Sequence, residues 1–233
     1  MNLFFTPDFR EEFYQLSETE SKHIVRVLRM DTGDTIHLTD GEGGMIEASI
    51  VTADPKKCTV KAVRILREYH KRPFLLHIAI APTKNTDRFE WFLEKSTEIG
   101  IDTITPLICS RSERNKINYD RSGKVIVAAM KQSLKAYLPK LDQPVKFRDF
   151  IQRPFEGAKF IAYCDENETT ELKNVYRKGA KTLILIGPEG DFTPEEVIAA
   201  KMAGFIPISL GKSRLRTETA GVVACHTVNL INE

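Results

Sequence analysis

The stretch Ile186-Gly187-Pro188-Glu189-Gly190-Asp191-Phe192-Thr193-Pro194 decides the fold. The apolar run Thr182–Ile186 ahead of it reads as a buried strand. A glycine-flanked turn follows, and then a helix start with Thr193 as cap, Pro194 at the first helical position and Glu196 at the third. Glycines let backbone come close to a ligand, and free N–H groups at a helix start can hold polar atoms. The plain alternative is a tight strand-to-helix turn that holds nothing.

Working outward, a second stretch has the same form. Leu210-Gly211-Lys212-Ser213-Arg214-Leu215-Arg216-Thr217-Glu218-Thr219-Ala220 joins the apolar run Ile206–Leu210 to a last helix from about Thr217, with Thr217 at the cap position. Alone, it reads as a solvated basic loop. Two such loops at the carboxyl ends of strands of one sheet point to a ligand, because open α/β sheets bind at that edge. Neither loop is a G-x-G-x-x-G or P-loop pattern, which argues against a dinucleotide fold or a nucleotide-hydrolysing domain.

The same alternation runs back to Phe74. Leu75–Ala81 reads as a strand, about Asp87 to Ile99 as a helix closed by Gly100, and Ile104–Cys109 as a strand. Val125–Leu138 reads as a long helix stopped by Pro139, and Lys159–Cys164 as another strand. Strands alternating with helices predict a mostly parallel, helix-covered sheet. Residues 1–71 differ. Ile36–Leu38, Met45–Val51 and Cys58–Leu66 are β-prone runs separated by Asp40-Gly41-Glu42-Gly43-Gly44 and Asp54-Pro55-Lys56-Lys57. One helix interrupts them, with capping-box spacing between Ser17 and Glu20 and an apolar stripe of Ile24, Val27 and Leu28. Short strands with one helix predict a small barrel. The boundary falls between residues 71 and 72.

The 233 residues carry 34 Lys+Arg against 32 Asp+Glu, so bulk charge does not by itself call for nucleic acid. Through Arg72 the counts are 11 against 12, and after it 23 against 20, so any RNA contact must come from local clusters. Lys22, Arg26 and Arg29 lie at helical spacing, and Lys84, Arg88 and Lys95 form a second such set across the first helix of the second domain. Either set could be a solvated face instead. The four cysteines, Cys58, Cys109, Cys164 and Cys225, lack CxxC spacing, which predicts reduced thiols and no zinc site. His23, His37, His70, His77 and His226 sit in no nucleophile motif and read as surface or satisfied core residues. There is no basic segment followed by an apolar run at the start and no apolar stretch of membrane-spanning length, which predicts a soluble, cytoplasmic protein.

Gly187-Pro188-Glu189-Gly190 together with Leu210-Gly211 and Leu215-Arg216-Thr217-Glu218-Thr219-Ala220 resembles the paired signature of the RsmE family of ribosomal RNA uridine-N3 methyltransferases. The likeness extends to His23-Ile24-Val25-Arg26-Val27-Leu28-Arg29-Met30, to Glu94-Lys95-Ser96-Thr97-Glu98-Ile99-Gly100 with Thr105-Pro106-Leu107, and to Gln132-Ser133 with Pro139. Asp191 stands where the family usually has glycine, Leu134-Lys135 replaces a common Gly-Arg pair, and Lys212-Ser213-Arg214 varies the middle of the second loop.

The resemblance implies an α/β fold of the SPOUT class, with a C-terminal trefoil knot (residues 72–233) behind a PUA-like RNA-binding β-barrel (1–71). It implies S-adenosylmethionine as cofactor, leaving as S-adenosylhomocysteine, and 16S ribosomal RNA of the small subunit as substrate. A homodimer is also implied, and no metal. By position, Ile186, Gly187, Glu189, Gly190, Leu210, Gly211, Leu215 and Arg216 would hold the methyl donor. Deprotonating uridine N3 spreads negative charge onto O2 and O4, so an arginine there would act like an oxyanion hole. Arg216 is the first choice and Arg214 the second, with Glu189 or Glu218 to take the proton. Two alternatives stay open: a non-catalytic RNA-binding module, and a ribose 2′-O-methyltransferase on the same fold.

Overall fold

The computed structural model describes residues 2–10, 12–163 and 170–233. Cys164, with the end of the strand expected there, lies outside the described residues. The chain divides into two compact units, one of residues 1–71 with 130–138 and one of 72–129 with 139–233.

In the first unit, β1 (Leu3–Phe5), β2 (Phe13–Gln15), β3 (Thr35–Thr39), β4 (Met45–Thr52) and β5 (Thr59–Leu66) form one sheet in the order β1-β3-β4-β5-β2. β1 runs parallel to β3, and the other pairs are antiparallel. The two turns are built by aspartates. Asp40 Oδ1 accepts from the N–H groups of Glu42 and Gly44, each at 2.8 Å, and Asp54 Oδ1 from those of Lys56 and Lys57. Residues 130–138 close the first turn from outside: Gly43 N–H donates to Ala136 O and Leu138 N–H to Gly41 O, both at 2.8 Å. The core is Phe4, Phe9, Leu16, Ile24, Ile36, Leu38, Ile46, Ala48, Ile50, Cys58 and Val60.

The helix of this unit, α1 (Glu18–Lys22), runs on as a π-helical segment, His23–Val27. Ser17 Oγ accepts from Glu20 N–H, giving half of a capping box, while the Glu20 carboxylate pairs with Lys131 at 2.7 Å. The expected apolar stripe is corrected here. Leu28 N–H bonds back to His23 O, and this wider turn carries Val27 outward to 66% exposure, while Val25 and Leu28 pack on the core.

The second unit holds β6 (Leu75–Ile80), α2 (Thr86–Ile99), β7 (Thr103–Ile108), α3 (Tyr119–Gln132), β8 (Lys140–Leu141), β9 (Val145–Lys146), α4 (Phe147–Ile151), β10 (Ala158–Ala162), α5 (Leu172–Val175), β11 (Lys181–Ile186), α6 (Pro194–Met202), β12 (Ile206–Ile208) and α7 (Thr217–Asn232). The last turn of α3 is counted with the first unit. The sheet runs β12-β10-β11-β6-β7-β8, with β9 also on β7, and every pairing is parallel. Helices cover both faces, so its central strands are mostly apolar. Ala79, Leu107, Ile161, Leu183 and Leu185 face a core with α4 and α6, and α2 and α7 pack together with β6 on the other side. The expected parallel, helix-covered sheet is what the chain forms.

The long helix expected at 125–138 is corrected at both ends. It begins at Tyr119 and ends at Gln132, because Leu134 takes a left-handed φ of 56° and Lys135 N–H bonds back to Met130 O.

Candidate functional site

The first turn grows directly from β11. Ile186, its last residue, is buried, and its carbonyl accepts from Ala81 N–H at 3.0 Å. Asp191 N–H closes the turn on Pro188 O at 2.9 Å. Phe192 folds back so far that a Cβ on Gly187 would meet its ring at 3.1 Å, which is why glycine stands there. Asp191 has φ 60°, and its Oδ1 accepts from Phe192 N–H at 2.8 Å, a local bond that lets an aspartate take a left-handed backbone. Thr193 and Glu196 form a full capping box at the start of α6, as expected from their spacing. Glu189 and Gly190 are exposed, and Glu189 Oε1 accepts from Lys84 N–H at 2.9 Å.

The second turn follows β12. Ser209 Oγ binds Gly211 at both its N–H (3.2 Å) and its carbonyl (3.0 Å). Gly211 has φ 124°, and a Cβ built there would meet nothing within 4 Å. So glycine here serves the backbone, and space beside it stays open. Leu210 and Leu215 are half-buried, while Lys212, Arg214 and Arg216 are exposed. The cap position of α7 falls on Arg216, without a side-chain capping bond; Thr217 is the first helical residue and is buried, which corrects the expected cap. Glu218 is also buried. Its Oε1 lies 3.9 Å from Arg88 Nε, and its Oε2 has no hydrogen-bond partner among the described residues.

β10 lies between β11 and β12, and among the described residues no hydrogen bond or ion pair joins 187–190 to 210–216. The first turn binds the connection between β6 and α2, where Ile186 and Glu189 hold Ala81 and Lys84. Just after the second turn, Glu218 of α7 faces Arg88 of α2. A third loop, after β7, joins the first turn and the β6–α2 connection. Arg111 Nη1 donates to Gly190 O at 2.7 Å, and Arg114 donates through Nε and Nη2 to Lys84 O at 3.2 and 2.9 Å. Sequence reasoning did not single out this loop. Its signal was available: Ser110-Arg111-Ser112-Glu113-Arg114 follows a strand of a parallel sheet and therefore had to lie at the carboxyl edge.

The family described as "RNA methyltransferase domain" matches residues 70–229, and "RNA methyltransferase PUA domain" matches 16–63. The chain belongs to the RNA methyltransferase family.

Among solved structures, a probable rRNA-methyltransferase from Porphyromonas gingivalis is 43% identical, with a TM-score of 0.93 over 100% of this chain and 98% of that one. Ribosomal RNA small subunit methyltransferase E from Neisseria gonorrhoeae, bound to S-adenosyl methionine, is 26% identical with a TM-score of 0.87, over 97% and 95% of the two chains. The protein of that name from Synechocystis is 29% identical over 94% of this chain and 73% of its own length.

In this RNA methyltransferase the first set of cations does not share one helical face, and of the second set Arg88 and Lys95 lie within α2 while Lys84 does not. Lys22 pairs with Glu18 at 2.6 Å, Arg26 lies in the π-helical segment, and Arg29 stands beyond it with φ 57°. These are not one α-helical face, because the π turn breaks the spacing. Lys84 precedes α2 and pairs with Glu113 at 2.8 Å, while Lys95 is held between Glu94 and Glu98. Among the described residues no group of three or more His, Cys, Asp or Glu could hold a metal ion, and no helix is long and apolar enough to cross a membrane. Cys58, Cys109 and Cys225 are buried.

Proposed function

We propose that this chain methylates N3 of a uridine in 16S ribosomal RNA of the small subunit, with S-adenosylmethionine as donor and S-adenosylhomocysteine as product. The reading includes a cytoplasmic homodimer, a trefoil-threaded donor domain and an RNA-binding role for the first unit. The observation that carries it is the pair of glycine turns that follow β11 and β12 at the carboxyl edge of one parallel sheet, the first of them anchored on the β6–α2 connection. Support comes from relatives named as rRNA methyltransferases over most of the chain, one of them bound to S-adenosyl methionine.

The residues fit the donor. Open space beside Gly211, exposed Gly190 and the half-buried Leu210 and Leu215 suit a ligand recognised by backbone groups and aliphatic contact. Ile186, Gly187, Glu189, Gly190, Leu210, Gly211, Leu215 and Arg216 would hold it. When bound, it supplies an electrophilic methyl group on a sulfonium. The chain's own part is electrostatic. Arg216, with Arg214 as second choice, is exposed and among the described residues makes no ion pair, so it is available to the O2 and O4 of a deprotonated uridine. Of the two carboxylates, Glu189 is the exposed one and can take the N3 proton, whereas Glu218 is enclosed in the first turn of α7 beside Arg88.

Labelled donor incubated with small-subunit RNA tests this reading. The expected product is a uracil-methylated nucleoside by mass spectrometry; label on ribose would overturn the N3 assignment, and no label at saturating donor would favour the binding module. Arg216→Ala should lower turnover about 100-fold and weaken donor binding less than that. Unchanged turnover removes Arg216 from the mechanism.

A further inference from the structure

Arg111 is a cation at the edge of a proposed RNA-modifying site, yet its guanidinium is spent on backbone. Nη1 donates to Gly190 O at 2.7 Å and reaches Phe192 O at 3.5 Å. Its aliphatic stem lies along the same turn: a Cβ built on Gly190 would meet Arg111 Cβ and Cδ at 3.4 Å. One residue earlier, Ser110 N–H donates to Glu196 Oε1 at 2.8 Å, while Glu196 Oε2 accepts from Thr193 N–H at 2.9 Å. A single carboxylate thus ties the loop after β7 to the far end of the same turn. The loop is itself braced, since Cys109 N–H donates to Ser112 Oγ and Ser112 N–H to Cys109 O. The circle closes through Lys84, whose N–H is held by Glu189 and whose carbonyl is held by Arg114.

We propose that Arg111 is a positioning residue for the methyl donor, acting through the Gly187–Phe192 turn and not on the donor or the RNA. The inference rests on the reading above that this turn belongs to the donor site. A turn gripped at both ends need not be ordered when ligand arrives, so the clamp lowers the entropic cost of binding. Charge-assisted bonds to carbonyls are the stronger kind, so their loss should show in affinity.

The test is calorimetric titration of S-adenosylmethionine into the full wild-type chain, Arg111→Ala and Arg111→Lys, with thermal melts, steady-state kinetics and RNA binding alongside. Removing such a bond should weaken donor binding and raise the donor KM about tenfold in Arg111→Ala. kcat at saturating donor should stay within about threefold and RNA affinity should not change, because the interaction serves ground-state binding. Arg111→Lys, which can make a single bond to one carbonyl, should fall between. If Arg111→Ala melts far below wild type, Glu196→Gln replaces it: one amide oxygen cannot serve both N–H groups, and donor affinity should again fall with kcat kept. Wild-type donor binding with unchanged affinity in the variants, or a loss of RNA affinity in place of donor affinity, overturns the inference. A wild-type chain that takes up no donor overturns the reading of the site itself.

Discussion

At the scale of single residues, Asp191 and Leu134 occupy left-handed backbone, with φ of 60° and 56°, where the family pattern carries glycine. Asp191 offsets the strain with its own bond to Phe192 N–H. Leu134 has no such device: it ends α3 with 38% of its surface exposed, held by backbone bonds that any residue could make. An L-residue in this region costs about 1–2 kcal/mol, and glycine gives back roughly 0.5–1 kcal/mol in chain entropy. Leu134→Gly should therefore stabilise the protein by about 0.5–1 kcal/mol, read as a higher denaturant midpoint at constant slope; a lower midpoint would show that Leu134 packs more than its exposure suggests. The sequence displayed both departures but not their backbone angles. Nor could it show Arg111 turned toward Gly190 O, because partners 79 residues apart leave no periodic trace.

At the scale of elements, legibility followed how local the cause was. The capping box at Thr193–Glu196 is written in four consecutive residues, and α6 starts where it says. α3 was misplaced because its first turns are polar, with Asp120, Arg121 and Ser122, while Leu134-Lys135-Ala136-Tyr137-Leu138 continues an apolar pattern for a different reason. Ala136 and Leu138 backbone serves the 41–43 turn. Likewise, nothing in the spacing of Ile24 and Val27 announces a π turn. The contact of α7 with α2 and β6 is closer than any propensity could tell. A Cβ on Gly221 would lie 2.6 Å from Phe92 Cδ2 and 2.8 Å from Ile80 Cδ1. Alanine gains about 1 kcal/mol of helix propensity over glycine. Overpacking a tight interface costs about 1–3 kcal/mol and here outweighs that gain. Gly221→Ala should destabilise by roughly 1–2 kcal/mol in chemical denaturation; a neutral result would mean that α7 shifts freely.

Across the whole molecule, alternation of strands and helices made the parallel sheet readable, but strand order was not, so β10 between the two site strands came only with the structure. The buried sheet also holds a titrating group. His77 Nε2 lies 2.7 Å from Thr105 Oγ1, which donates to Asp142 Oδ2 at 2.8 Å, so Nε2 is the donor in this contact. Burial pushes the His77 pKa down from 6.5 to about 4. As pH falls below 6.5 the unfolded chain takes a proton that the folded chain refuses until about 4. The stabilisation is therefore complete above that window and lost through it, by a contribution on the order of 3 kcal/mol. Denaturation midpoints at pH 7 and pH 4.5 should differ accordingly, and His77→Asn should flatten the slope; an equally steep slope in the variant would assign the effect to other groups.

The closing of the 40–44 turn by residues 136–138 bears on how the chain is made. A ribosome that has emitted every strand of the first sheet has not yet produced the backbone that Gly41 and Gly43 bind. The nascent barrel must wait, unlatched, while residues 72–129 are synthesised, and its final fastening arrives only when Ala136 and Leu138 leave the exit tunnel.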